Sequence, residues 1–283
     1  MVIPPPFSDL GKQASDLFSK GYNPGHIKIE HKAKTANGVE FKTTGISQND
    51  TKTVTGNLES KFCIKDYGLT ITENWSTDNL LNGKFEFADK IAEGLKLTLD
   101  TKFNISSGKK SAKVKGDYKR DYINLNTETD FDYSAQSVMV SCVGMYEGWL
   151  GGVQGSYDFT KSRLAKYVLA IGYKGSDFEL NTYVKDGKDF GGSIYHAVRK
   201  GLEAGVQCSW VAGTNSSCLA IASKYVIDDD SHLKAKVNSN SSIGLGYTHQ
   251  LNKGVKVTLS TIIDGKALSG GDHKVGLGVE LGN

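Results

Sequence analysis

The chain has 283 residues, 38% of them hydrophobic and 23% charged, with a net charge of +3. No stretch approaches the ~18–20 consecutive apolar residues of a membrane helix, which excludes a helical membrane protein but not a barrel, whose strands carry apolar residues in alternation. The charge is too mild to indicate a nucleic-acid binder, and 33 glycines with only 4 prolines suit many strands and tight turns better than disorder.

The opening Met1-Val2-Ile3-Pro4-Pro5-Pro6 has neither the basic start and apolar core of a secretory signal nor the Arg-rich character of a cleaved presequence. That favours import into an organelle from the cytosol over bacterial export. Phe7, Leu10, Ala14, Leu17 and Phe18 then recur near helical spacing, with Asp9, Lys12, Gln13, Asp16, Ser19 and Lys20 filling the remainder. Ser8 is the expected N-cap and Gly21 the expected stop of a short amphipathic helix. Gly21-Tyr22-Asn23-Pro24-Gly25 reads as a hinge, its two glycines supplying backbone freedom. The helix is too short to hold its shape alone in water. Its apolar stripe needs a partner, for which inward apolar wall residues such as Val168 are candidates.

From residue 26 onward the period is two. Leu95, Leu97, Leu99, Thr101 and Phe103 oppose Lys96, Thr98, Asp100 and Lys102, and Val255, Val257 and Leu259 oppose Lys256, Thr258 and Ser260. Similar runs begin at Ile27, Ala112, Lys166, His232 and Lys274. Such alternation predicts sheet with one apolar and one polar face. Turn signals separate the runs at Asn37-Gly38, Ser107-Gly108, Asp186-Gly187, Ala212-Gly213 and Ser269-Gly270-Gly271. About 17 to 20 strands can be placed. No linker or shift in composition marks a second domain, so 1–25 is expected to form helix and hinge, and 26–283 one barrel. About eight strands already fill a closed barrel with side chains. A wider one must be wet inside and apolar outside, which lipid alone tolerates.

In the cleanest runs, lysines on the polar face (Lys28, Lys32, Lys113, Lys115, Lys234 and Lys236 among them) far outnumber carboxylates (Glu30, Asp100, Asp117 and Glu280). A lumen lined this way should weakly favour anions, including nucleotide phosphates, and Lys12 and Lys20 would add to the field. Glu73 is anomalous. It shares parity with Leu69, Ile71 and Trp75, and a carboxylate facing lipid is a functional candidate by default. Ser107-Gly108-Lys109-Lys110-Ser111 superficially suggests a phosphate loop, but Phe103 stands where that motif needs glycine. The Gly244-x-Gly246 and Gly276-x-Gly278 pairs fall within strands, where glycines commonly mark tight curvature. Cys63, Cys142, Cys208 and Cys218 lack metal spacing and read as isolated wall thiols. Cys208 and Cys218, flanking Gly213-Thr214-Asn215, fall on opposite faces by parity. No catalytic constellation stands out, so an enzyme is not expected, and neither a metal nor a required cofactor.

The stretch Tyr225-Val226-Ile227-Asp228-Asp229-Asp230-Ser231-His232-Leu233-Lys234-Ala235-Lys236, continuing to Ile243-Gly244-Leu245-Gly246-Tyr247, resembles the signature of the voltage-dependent anion channels, the eukaryotic mitochondrial porins. Further matches run in order along the chain: Phe7-Ser8-Asp9-Leu10-Gly11-Lys12, Tyr67-Gly68-Leu69-Thr70, Tyr146-Glu147-Gly148-Trp149-Leu150, Phe190-Gly191-Gly192-Ser193 and His273-Lys274-Val275-Gly276. The resemblance implies a 19-stranded barrel, this family's known odd-numbered exception, with the helix folded into the lumen. An odd count makes the first and last strands, around Ile27–Lys32 and Lys274–Leu281, pair in parallel.

The resemblance further implies a voltage-gated, weakly anion-selective channel of the mitochondrial outer membrane, passing ions and metabolites with ATP/ADP and NAD(H) as permeants or weak ligands. It makes Lys12 and Lys20 nucleotide-contacting candidates. Ser242, Ile243, Gly244 and Ser260, Thr261, Ile262, Ile263, Asp264 correspond to a region the family associates with nicotinamide nucleotides, although Ser242 and Thr261 depart from its apolar residues there. Glu73 matches an acidic, membrane-facing residue implicated in regulation and partner binding. Expected partners are the bilayer, anions and nucleotides, further copies of the chain, and cytosolic kinases or apoptosis-regulating proteins, but no nucleic acid. The competing readings are a protein-import barrel, against which the segment after Tyr225 and the short N-terminal segment speak, and a soluble lipid-binding barrel, which would purify without detergent.

Overall fold

The fold was analysed in a computed structural model, which describes residues 3–132, 136–214, 216–267, 270 and 273–282. After a 3-10 turn at Phe7–Asp9 comes one helix, α1 (Lys12–Ser19). The strands that follow are β1 (His26–Lys34), β2 (Glu40–Gln48), β3 (Thr53–Ile64), β4 (Leu69–Ser76), β5 (Leu80–Ala88), β6 (Leu95–Asn104) and β7 (Lys110–Lys119). Next are β8 (Ile123–Asp132), β9 (Gln136–Tyr146), β10 (Trp149–Asp158), β11 (Arg163–Lys174), β12 (Phe178–Lys185) and β13 (Asp189–Arg199). The last are β14 (Leu202–Val211), β15 (Ser217–Asp228), β16 (Ser231–Asn238), β17 (Ser242–Asn252), β18 (Val255–Asp264) and β19 (Lys274–Gly282).

Each strand pairs antiparallel with its neighbour in sequence, and β1 closes on β19 in parallel, with Ile27 opposite Leu277 and Lys32 opposite Gly282. The result is a closed 19-stranded barrel. Closure leaves no unpaired strand edge, the condition for placing a sheet in hydrocarbon. Gly38, Gly108, Gly187 and Gly213, in four of the expected turns, hold positive φ. Ser269 and Gly271 of the fifth, and Asn215, lie outside the described residues. The segment after Ser107-Gly108 enters a strand, β7, and not the helix a phosphate loop requires.

Register assigns the faces. Ile29, Trp75, Val153, Leu169, Ile171, Ile221 and Leu259 all point outward and are half or more exposed. Aromatic clusters stand at both rims of this outer face: Trp149, Tyr173 and Phe178 at one, and Phe190 stacked on Trp210 at the other. This is the girdle pattern of membrane barrels. The chain exposes 17572 Å², against roughly 12,000 Å² for a compact monomer of this size. Among the described residues the buried apolar side chains are few: Pro4, Ala14, Leu17, Tyr22, Val143, Leu150, Ala170 and Ala222. All belong to the N-terminal segment or to the inner wall, so the dry interior lies where that segment touches the lumen.

The inward glycines of the wall form its seat. A Cβ on Gly152 would stand 2.9 Å from Phe7, one on Gly205 3.0 Å from Leu17, and one on Gly246 2.5 Å from the Gly21 carbonyl. A Cβ on Gly276 would overlap the Asn23 carbonyl. The Gly244-x-Gly246 and Gly276-x-Gly278 pairs are thus explained at Gly246, Gly276 and Gly278 by close approach of the chain, and not by curvature alone. Overfilling such a contact costs about 1–3 kcal/mol. Gly276→Ala should therefore keep its strand content by circular dichroism while trypsin cuts after Lys12 and Lys20 faster than in the parent. Equal cutting rates would show that the seat is not steric.

Candidate functional site

The N-terminal segment wraps round the inner wall from β8 to β19 before it enters β1. Asn124 Nδ2 donates to the Pro4 carbonyl at 2.9 Å, and Phe7 and Leu10 lie against Gly152. Gly11 N–H donates to Glu179 Oε1 at 2.9 Å. Lys234 Nζ donates to the Lys20 carbonyl at 3.0 Å and Lys236 Nζ to the Phe18 carbonyl at 2.7 Å. Asn23 N–H donates to Ser260 Oγ at 2.8 Å.

The helix begins later than Ser8 predicts. Ser8 lies inside the 3-10 turn, Leu10 is extended, and Gly11 (φ +70°) caps α1 in the left-handed region. The wall sets this start, because Gly11 lies over Asn181 and Ser193, each about 3 Å from where its Cβ would be. The apolar stripe of α1 is Ala14 and Leu17, both 2% exposed, with Phe18 beside them. Phe7 and Leu10 reach the same wall from outside the helix. Val143, Leu150, Ala170 and Ala222 are the buried inward residues, while Val168 is only half-buried. Gly21 ends the helix as expected, at φ +84°, and Gly25 holds +72°.

Lys12 and Lys20 face the lumen, but each is paired one turn back, with Asp9 at 3.0 Å and Asp16 at 2.7 Å. They add no net field beyond their partners. Along the wall, Glu30 is gripped by Lys28, Lys32 and Lys42 at 2.9–3.4 Å, Lys115 pairs with Asp100 at 3.0 Å, and Lys113 with Glu128. Register also turns Glu40, Glu59, Glu86, Glu128, Asp130, Asp158, Glu179, Asp189 and Glu203 inward. Lysines still outnumber carboxylates among the described residues of this face, by far less than the cleanest runs suggest. Those runs were biased because these acidic residues lie in strands outside them, β2, β3, β5, β8, β10 and β12 to β14.

Of the expected nucleotide residues, Ser242, Gly244, Ser260, Ile262 and Asp264 share the inner face, with Ser242 opposite Asp264 and Gly244 opposite Ile262. Ile243, Thr261 and Ile263 share the outer face with Leu245 and Leu259. Their side chains point away from the lumen, and a luminal ligand could reach only their backbone. Ser260 already serves Asn23. Cys208 and Cys218 fall on opposite faces, since Cys208 sits opposite Leu219 and Cys218 opposite Ser209.

Glu73 is exposed on the outer face, opposite Ser60 and Gly83. It borders a cavity of about 550 Å³ in the outer wall, over small Gly83, Thr101 and Ala112 and between Trp75, Phe85, Phe103 and Phe131. Sequence parity alone had located this residue. The role of Glu179 was not legible, because its side chain accepts from a residue 168 positions away.

A family model described as eukaryotic porin matches residues 3–276. The non-selective voltage-gated ion channel VDAC2 of Meleagris gallopavo is 50% identical over 281 residues, 99% of this chain and 95% of that protein. The VDAC2 of Homo sapiens is 49% identical over 99% of this chain and 96% of its own length. The non-selective voltage-gated ion channel VDAC1 of Ovis aries is 48% identical, with 99% of each chain covered.

An environment-sensitive fluorophore at position 73 in reconstituted vesicles should emit as in hydrocarbon, with Glu73→Gln leaving the barrel intact. Emission as in bulk water would contradict the outward placement.

Proposed function

The chain belongs to the eukaryotic porin family, and from that membership we propose that it is a voltage-gated pore for ions and small metabolites in the mitochondrial outer membrane. The observation that carries this reading is the pairing of two faces. The outer wall is apolar with aromatic rims, and the inner wall is charged and too wide for side chains to fill. A water-soluble lipid-binding barrel would turn these faces the other way. No bound cofactor is needed for passive diffusion, and adenine and nicotinamide nucleotides fit the reading as permeants.

A narrow lysine surplus on the inner wall supports weak anion preference, since a wide lumen concentrates counter-ions without stripping their water. The names of the relatives, which call them non-selective, agree with a small preference. Nucleotide contact is assigned to the lumen-facing Lys12, Lys20, Ser242, Gly244 and Asp264. Glu73 is assigned a regulatory role at the lipid face, where self-association or cytosolic proteins such as kinases or apoptosis regulators would be felt.

The N-terminal segment supplies the moving part. It is not built into the sheet, it covers the inner wall, and Gly21 and Gly25 stand where it would pivot. Releasing it uncovers Val143, Leu150, Ala170 and Ala222 to water, which opposes full release. Losing the Leu17 contact by Leu17→Ala should weaken docking by about 2–5 kcal/mol.

In a planar bilayer under a KCl gradient, the open pore should show large conductance and a small reversal potential of the anion-selective sign. A cation-selective open state would overturn the lysine-lined lumen. A chain lacking residues 1–20 should fold and conduct but close weakly or not at all with voltage. If it gated like the full chain, the segment would not be the gate.

A further inference from the structure

Where the N-terminal segment begins its path along the wall, it roofs a cavity of about 280 Å³ over β7 to β10. Register puts four polar side chains in one row across the floor: Asp117 opposite Asn126, Asn126 opposite Ser141, and Ser141 opposite Gln154. Neighbours in such a row stand about 4.8 Å apart, so one small molecule reaches several of them. Phe7 and Ser8 form the roof, and the segment itself thereby completes the enclosure.

The row has hydrogen-bonding capacity that the protein does not use. Asn126 Nδ2 donates to Asp117 Oδ1 at 2.7 Å, which fixes the amide and leaves Asn126 Oδ1 buried with no partner among the described residues. Gln154 Nε2 points at Met139 Sδ, a weak acceptor that a ligand oxygen would displace. Ser141 is buried, and its hydroxyl both donates and accepts. The charges at the site cancel. Lys115 and Lys119 line it together with Asp117 and Glu128, and Lys115 is already 3.0 Å from Asp100 and 3.9 Å from Glu128. An anion gains little here, whereas a neutral molecule rich in hydroxyls meets both donors and acceptors. At ~30 Å³ per water in the liquid, the cavity has room for about nine waters, which suits a hexose accompanied by a few of them.

We propose that this cavity is a binding site for a neutral, polyhydroxylated metabolite of hexose size, and that its occupation fastens the start of the N-terminal segment to the wall. Ring hydroxyls donate to Asn126 Oδ1 and Asp117 and accept from Ser141, Gln154 and Lys115. The C–H surface of the ring lies against Phe7. Because Phe7 and Ser8 complete the cavity, the molecule binds the docked segment and not the released one. Its binding therefore favours docking by mass action. The site goes beyond passive passage, since a molecule held here acts on the segment it would otherwise pass. It needs the segment docked, and it stands whether or not that segment closes the pore.

The full chain in phosphatidylcholine vesicles would be exposed to trypsin at rising glucose, with cutting after Lys12 and Lys20, which needs a released segment, followed by mass spectrometry. Cutting should slow along a saturable curve, roughly tenfold once glucose exceeds its half-saturating concentration by about ten times. Sugars also favour compact states by exclusion from the protein surface, an effect that grows without saturating, so the shape of the curve separates the two. Asn126→Leu and Gln154→Leu, with strand content by circular dichroism equal to the parent's, should lose the saturable part. Gluconate, whose carboxylate would meet Asp117 and Glu128, should need about tenfold more for the same protection. Saturable protection that survives both substitutions would place the ligand elsewhere and overturn the site. Gluconate acting as well as glucose would overturn the neutral class. Slowing that never saturates in the parent chain would be exclusion alone and would overturn the proposal entirely. Saturation-transfer NMR on the parent chain gives a reading that needs no folded variant: transfer from the protein to glucose protons is expected, and its absence would likewise overturn the proposal.

Discussion

Nineteen strands closed into one barrel enclose more space than inward side chains can fill. Every other feature of the molecule answers to that constraint. Water must occupy the lumen, so alternate residues of each strand are polar and the opposite set is apolar. The apolar set then has no protein to pack against, which is why large aliphatic and aromatic side chains such as Ile171 and Trp75 stand about 61% exposed. Hydrocarbon is the environment in which that surface is stable, and closure of β1 on β19 removes the edge that hydrocarbon would not tolerate.

The N-terminal segment is the exception inside the wet lumen. Its eight-residue helix is too short to persist in water by itself, and the wall supplies what it lacks. Glycines make room for the backbone, small apolar residues cover Ala14 and Leu17, and charges at each end complement the helix dipole. These contacts join the segment to wall residues far away in the chain, and they are separate from the hydrogen bonds that hold the sheet. The sheet around it is held by backbone ladders on both sides of every strand, so moving the segment need not disturb the barrel.

Much of this was legible in the sequence, because a strand's alternation is written in adjacent residues. The faces of Glu73, Cys208 and Cys218 follow from parity, whereas the parallel pairing around Ile27 and Leu277 follows from the odd strand count that the family resemblance implied, since alternation alone left about 17 to 20 strands. What was not legible depends on residues far apart in the chain. Ser8 has the chemistry of a cap, yet the helix waits for Gly11 because Glu179, Asn181 and Ser193 shape the wall there. Gly246 and Gly276 look like points of curvature until the carbonyls of Gly21 and Asn23 are seen against them. The lysine excess looked larger than it is because it was read from strands of clean alternation such as β7, whereas Glu40, Glu59, Glu86 and Glu128 turn inward from strands outside those runs. Ile243, Thr261 and Ile263 were grouped with their inward neighbours as one stretch, although alternation turns them to the lipid side.

The account rests on which wall meets lipid, and the chain carries its own reporters. Its three tryptophans, Trp75, Trp149 and Trp210, are all on the outer face and half or more exposed. Steady-state fluorescence of the reconstituted protein, quenched in parallel by brominated phospholipids and by aqueous iodide, measures that orientation without any substitution. Strong quenching by the brominated lipids with little effect of iodide is the predicted result. Strong quenching by iodide with the lipids silent would place the tryptophans in water and contradict the assignment of the two faces.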